Sequence, residues 1–198
     1  MSRKTTVHAT PAEAHRMLPG DELIADPLAS YTHAVTVHCP PREVWPWLAQ
    51  MGADRAGWYS YDLVDNGGRP SAEEIVPQFQ HVEAGDLFPW LPDATDGFVV
   101  AAVDPGRHLV LSALDPQRTP IVTWAFVLEP GPDALSTRLL VRVRGSHAYQ
   151  FHGLPQWVVK RIVPAGHYVM QRKQLLGIAR RAEHSATGRL PQLSTTLL

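Results

Sequence analysis

One cysteine, three lysines and no long apolar run set the first limits on this 198-residue chain. Cys39 alone excludes an intramolecular disulfide and a cysteine-rich zinc site, and it fits a reducing cytoplasm. A formal net charge of −1 excludes the basic excess that marks nucleic-acid binders, so no nucleic-acid partner is expected. No apolar stretch approaches the roughly 18 residues of a membrane span. Residues Met1 to Thr6 carry positive charge with no apolar segment behind them, so they do not read as a secretory signal.

Motifs are scarce as well. G-x-S-x-G, H-E-x-x-H and both glycine-rich phosphate-binding patterns are absent, and Gly67-Gly68 and Gly106 read as turn glycines. Ten histidines invite a metal, yet no compact carboxylate–histidine cluster is visible. His33 and His38 are five apart on a strand and point to opposite faces; His147 and His152 flank a strand end. Neither a metal nor any other cofactor is therefore expected. Cys39, at a strand end before Pro40, reads as buried and inert.

What is present is an ordinary globular composition, 44% hydrophobic and 19% charged. The length suits one domain with extensions: an arm over 1–30, a domain over 31–185 and a tail over 186–198. In the arm, Ala12 to Leu18 follows a capping Thr10 and a first-turn Pro11, which predicts a short helix. Tyr31 to Cys39 alternates as a strand. Pro40-Pro41 then opens a helix that carries Val44, Trp45, Trp47, Leu48 and Met51 inward and closes at Gly52. Trp58 to Val64 predicts a second short helix.

Five strand-like runs follow, Gly85 to Trp90, Phe98 to Val103, His108 to Ala113, Ile121 to Glu129 and Ser136 to His147. Asp104-Pro105-Gly106 and Pro130-Gly131-Pro132-Asp133 punctuate them. In the last run Leu139, Val141 and Val143 share one face and Arg138, Arg142 and Arg144 the other, the pattern of a sheet wet on one side. A final helix from Pro155 to Ser185 carries a stripe of Val158, Ile162, Ala165, Val169, Leu176 and Ala179, with Pro164 expected to kink it. The order implies an α+β fold, a curved antiparallel sheet around a long C-terminal helix with an apolar cavity between them.

The run Thr36-Val37-His38-Cys39-Pro40-Pro41-Arg42-Glu43-Val44-Trp45-Pro46-Trp47-Leu48-Ala49-Gln50-Met51-Gly52 resembles the START-like, or SRPBCC, superfamily. So do Gly57-Trp58-Tyr59-Ser60-Tyr61-Asp62, Gly85-Asp86 and the stretch from Leu176 to Glu183. The resemblance covers roughly residues 30–184 and points to a bacterial branch of that superfamily, whose other members include pollen allergens, lipid-transfer domains and polyketide cyclases. It implies the helix-grip fold and a cavity for a hydrophobic molecule. It implies no reaction, because one fold hosts many functions.

Candidate ligand-binding residues follow from the aromatic and polar groups placed near such a cavity: Trp58, Tyr59, Tyr61, Asp62, Trp90, Trp124, Phe126, Val141, Tyr168 and Arg172. Asp62 is either a general base or the partner of Arg55. Arg172 and Lys173 interrupt the helical stripe and either meet a ligand anion or snorkel to solvent. Three functions stay open: a carrier, store or sensor of a small hydrophobic or amphipathic molecule; a cyclase, dehydratase or hydrolase using groups such as Asp62, Tyr59, His147 or Arg172; and an interaction module working through the arm and the tail from Leu190 to Leu198.

Overall fold

Two Pro-Gly turns and the alternation between them build most of the sheet. The computed structural model describes residues 7–133, 135–148 and 156–188, with side chains of the last stretch described from 165 onward. Its elements are α1 (Pro11–His15), β1 (Ala29–Val37), α2 (Pro41–Ala49), α3 (Asp62–Asp65), β2 (Leu87–Pro89), β3 (Gly97–Asp104), β4 (His108–Leu114), β5 (Pro120–Pro130), β6 (Thr137–Gly145) and α4 (Gln156–Gly188). The six strands form one antiparallel sheet in the order β1-β6-β5-β4-β3-β2. The turn at Asp104-Pro105-Gly106 joins β3 to β4, and the turn at Pro130-Gly131-Pro132-Asp133 joins β5 to β6. This is the α+β helix-grip arrangement.

Residues of one parity face inward. Val35, Val37, Leu109, Leu111, Phe126, Leu128, Leu139 and Val141 join Trp47 and Leu48 from α2, Met51 just after it, and Leu175, Ile178 and Ala182 from α4 in a single core. Each fully buried aliphatic or aromatic side chain there contributes about 1.5–3 kcal/mol. Pro41 opens α2 at its first turn, and the chain leaves it through Gln50. Buried Gln50 then fixes the following loop, donating to the Glu74 carbonyl at 3.1 Å and accepting from the Val76 amide at 2.9 Å.

The opposite face of the sheet is not wet, contrary to the arginine alternation in β6. The N-terminal segment lies across it: Leu18 packs with Ala34, Val127 and Leu140, which accounts for Leu140 breaking the alternation. Arg142 is 4% exposed. Its Nε donates to Thr32 Oγ1, Nη1 to Asp21 at 2.5 Å and to the Arg16 carbonyl, and Nη2 to the carbonyls of Glu13 and Ala14. Three of those acceptors are carbonyls at the C-terminal end of α1, which no intrahelical donor can reach. A guanidinium here does the capping that sequence patterning assigned to water. α1 itself forms as its capping residues predict, with Thr10 and Glu13 bonded reciprocally.

Two helices differ from expectation. The segment beginning at Trp58 is helical only over Asp62–Asp65, because Gly57 and Tyr59 adopt φ of +79° and +60°. Three bonds hold it open: Trp58 Nε1 to the Trp90 carbonyl, the Tyr59 amide to Ser71 Oγ, and Ser60 Oγ to the Met170 carbonyl. Trp58 and Tyr61 therefore do not share a helical face. In α4 the buried face runs through Gln171, Gln174, Leu175, Ile178 and Ala182, whereas Ala165 and Val169 are exposed. Of the apolar stripe, Ala179 is in the core and Leu176 packs against it, while toward the start of the described face Gln171 and Gln174 take the inward positions. Val158, Ile162 and Pro164 belong to the part of α4 whose side chains lie outside the described residues.

Candidate functional site: a cavity between sheet and helix

Between the inner face of the sheet and α4 lies a cavity of about 210 Å³. Trp58, Trp90, Phe98 and Trp124 wall one side; His167, Met170, Gln171 and Gln174 of α4 face them; Ser60 and Asp65 close one end. The aromatic wall is a packed unit. Phe98 presents edge-on geometry to Trp58, Trp90 and Trp124, with centroids 5.9, 5.8 and 5.4 Å apart. Trp58 and Trp124 stack at 5.4 Å, and Trp124 leans on Phe126 behind it.

Most polar groups in the lining are already engaged. Trp124 Nε1 donates to Gln171 Oε1 at 3.1 Å, and Gln171 Nε2 donates to Gln174 Oε1 at 2.7 Å. Trp58 Nε1 is bonded to the Trp90 carbonyl at 3.2 Å and Ser60 Oγ to the Met170 carbonyl at 3.2 Å. Two buried atoms are left without a hydrogen-bond partner, Asp65 Oδ1 and His167 Nε2. Burial, and after it the neighbouring Asp62 carboxylate, pushes the Asp65 carboxyl up to about 6. Burial, and after it His33, pushes the His167 imidazole down to about 4. At neutral pH the cavity thus holds one mostly ionised carboxylate and one neutral imidazole.

Behind His167 the rings continue toward β1. His33 lies 5.5 Å from His167 and 5.6 Å from Tyr168, Tyr31 lies 5.4 Å from His167, and His8 stacks on Tyr168 at 5.9 Å. No group of three or more histidine, cysteine, aspartate or glutamate residues able to hold a metal occurs among the described residues.

Of the residues singled out from sequence, Trp58, Trp90 and Trp124 line this cavity. Phe126 and Val141 sit in the core behind it. Tyr59 is buried against Trp47 and beneath the Arg181 guanidinium, with no hydrogen-bond partner for its hydroxyl. Tyr168 packs in the ring cluster toward β1, while Tyr61 and Arg172 are exposed. Asp62 accepts from Ser71 Oγ at 2.5 Å and does not pair with Arg55, whose guanidinium instead binds the carbonyls of Ala49, Met51 and Phe79. His147 sits 3.8 Å from Asp26, away from the cavity. The set Asp62, Tyr59, His147 and Arg172 is therefore not brought together in the cavity, and the tail from Leu190 to Leu198 lies outside the described residues. Cys39 is buried, its thiol pushed up to about 12 first by burial.

Sequence reasoning passed over Ser60, Asp65, Phe98, His167, Met170, Gln171 and Gln174. For the helix the signal was available: His167, Met170, Gln171 and Gln174 recur at spacings of three and four and share a face with Ile178. For Phe98 the alternation with Val100 on β3 marked the inward parity. Nothing local distinguished Asp65 from Asp62.

No protein-family model and no curated protein matches the sequence. Solved structures similar to this chain include a protein of Mesorhizobium loti, 16% identical over 79% of this chain and 98% of that one, with a TM-score of 0.45. A polyketide-cyclase-like protein of Corynebacterium glutamicum is 13% identical, covering 81% of this chain and 94% of its own, with a TM-score of 0.41. An aromatase/cyclase of a Streptomyces species is 14% identical over 80% and 95%, with a TM-score of 0.40.

Proposed function

We propose that this protein binds a small hydrophobic or amphipathic molecule in the cavity between the sheet and α4, as a carrier, store or sensor. One observation supports the reading most: a space of about 210 Å³ walled by three indoles and a phenyl ring, with the N–H groups of Trp58 and Trp124 already bonded to the protein. Such walls offer a ligand apolar contact without asking it to replace an indole hydrogen bond. No helix among the described residues is long and apolar enough to cross a membrane, in keeping with a proposed site of action in the cytoplasm. The test is extraction of the purified protein with organic solvent, followed by mass spectrometry and by titration of apolar probes against tryptophan fluorescence. A stoichiometric, chemically unchanged molecule supports the proposal; protein that yields none and takes up no apolar probe overturns it.

A second reading, an acid–base enzyme acting on such a molecule, draws on Asp65 and His167. Each has one buried atom without a hydrogen-bond partner and a displaced proton affinity in the same cavity. Turnover of a bound molecule that is abolished by Asp65→Asn, with binding retained, separates this reading from the first.

A further inference from the structure

Among the residues that line the cavity, the one charged group is the Asp65 carboxylate. The indole N–H groups of Trp58 and Trp124, which would have served an anion, donate to a carbonyl and to Gln171. The Ser60 hydroxyl and the Gln171 amide donate within the protein as well. No lysine or arginine is among the lining residues, and Arg172 and Lys173 of α4 are exposed. What faces the space is a set of aromatic side chains, one carboxylate oxygen without a partner and the unpartnered Nε2 of His167. The His167 ring is held neutral by burial and adds no positive charge at pH 7.

Resting on the cavity reading above, we infer that the preferred occupant is an organic monocation, a substituted ammonium with an apolar body, seated against Trp58, Trp90, Phe98 and Trp124 with its charge toward Asp65. Aromatic surroundings attract such a head through cation–π contact, strongly so where water is excluded. The carboxylate supplies the counter-charge that a buried cation requires. An anion would meet the Asp65 carboxylate with no lysine or arginine in the lining to offset it. The cavity holds a body of about ten heavy atoms at ordinary interior packing.

The experiment is calorimetric titration of the full chain with benzyltrimethylammonium and, separately, with its neutral carbon isostere neopentylbenzene, repeated on Asp65→Asn. The expected result is at least tenfold tighter binding of the cation, with that preference lost in the variant while the isostere binds as before. Equal or tighter binding of the isostere to the wild-type protein overturns the cation preference and leaves the apolar-ligand reading in place. Failure of both probes, together with the failure of other apolar probes, overturns both. The cation-to-isostere ratio of the wild-type protein decides the question even if Asp65→Asn does not fold.

Discussion

The two faces of one sheet treat buried polarity in opposite ways. On the outer face the arginine of β6 at position 142 is as buried as a core leucine, yet every nitrogen of its guanidinium is bonded. On the inner face, Asp65 Oδ1 and His167 Nε2 are buried beside a cavity with nothing to bond. Glu13, paired with Arg138 outside, is held down to about 2; Asp65, desolvated inside, is pushed up to about 6. A network satisfied except at Arg144 Nε fastens the arm to the sheet, and unsatisfied groups accompany the space in which a ligand is proposed to sit. The anchoring of the arm and the proposed binding are thus separated by the thickness of a sheet.

The sharpest way to break this contrast is to remove Arg142. Arg142→Met leaves the buried Asp21 with Arg144 as its remaining cation, at 3.2 Å, and frees the carbonyls that end α1, for an expected loss of about 3–5 kcal/mol in urea unfolding. Next in size is Gly177→Ala in α4. A Cβ there would stand 2.5 Å from the Tyr59 carbonyl oxygen, so the loop bearing Trp58 must move away from the helix. The expected cost is about 1–3 kcal/mol, accompanied by a change in tryptophan fluorescence.

The two carboxyls sharpen the comparison through pH. Glu13 has a lowered proton affinity, so its contribution is present above 4.5 and is lost as pH falls through about 2. Glu13→Gln should therefore lose about 1–2 kcal/mol at pH 7, after allowance for solvent screening, and approach the wild type near pH 2. Asp65 has a raised affinity, so it opposes folding above about 6 and ceases to do so below its ordinary 3.8. Asp65→Asn should gain about 1 kcal/mol at pH 7, the smallest effect of the series, and nothing at pH 3. Urea titrations of both variants across this range measure the two signs directly. A loss of stability at pH 7 in both variants would erase the distinction between the faces.

The strands, the hairpin turns, the helix after Pro41 and the capped turn at Thr10 were legible because local rules govern them: alternation, proline geometry and a capping pair three residues apart. Three cavity tryptophans were legible for a related reason, since large aromatic residues on inward positions have few other places to go. The cavity's polar members were not. Gln171 and Gln174 read as solvent-facing until Trp124 and Met51 are placed beside them. Asp62 and Asp65 are chemically equal in sequence, and only the position of Ser71 gives the first a partner while the second turns to the cavity.

By itself the sequence determined the α+β class, the order of elements and the inward parity of the strands, because these follow from periodicities of two and 3.6 residues. Tertiary structure alone decided which polar side chains are satisfied. Arg142 is paired because α1 and Asp21 arrive from more than a hundred residues away, and Asp65 Oδ1 has no partner because no distant donor reaches it. Hydrogen-bond satisfaction depends on atoms brought together across the chain, and no local pattern carries that information.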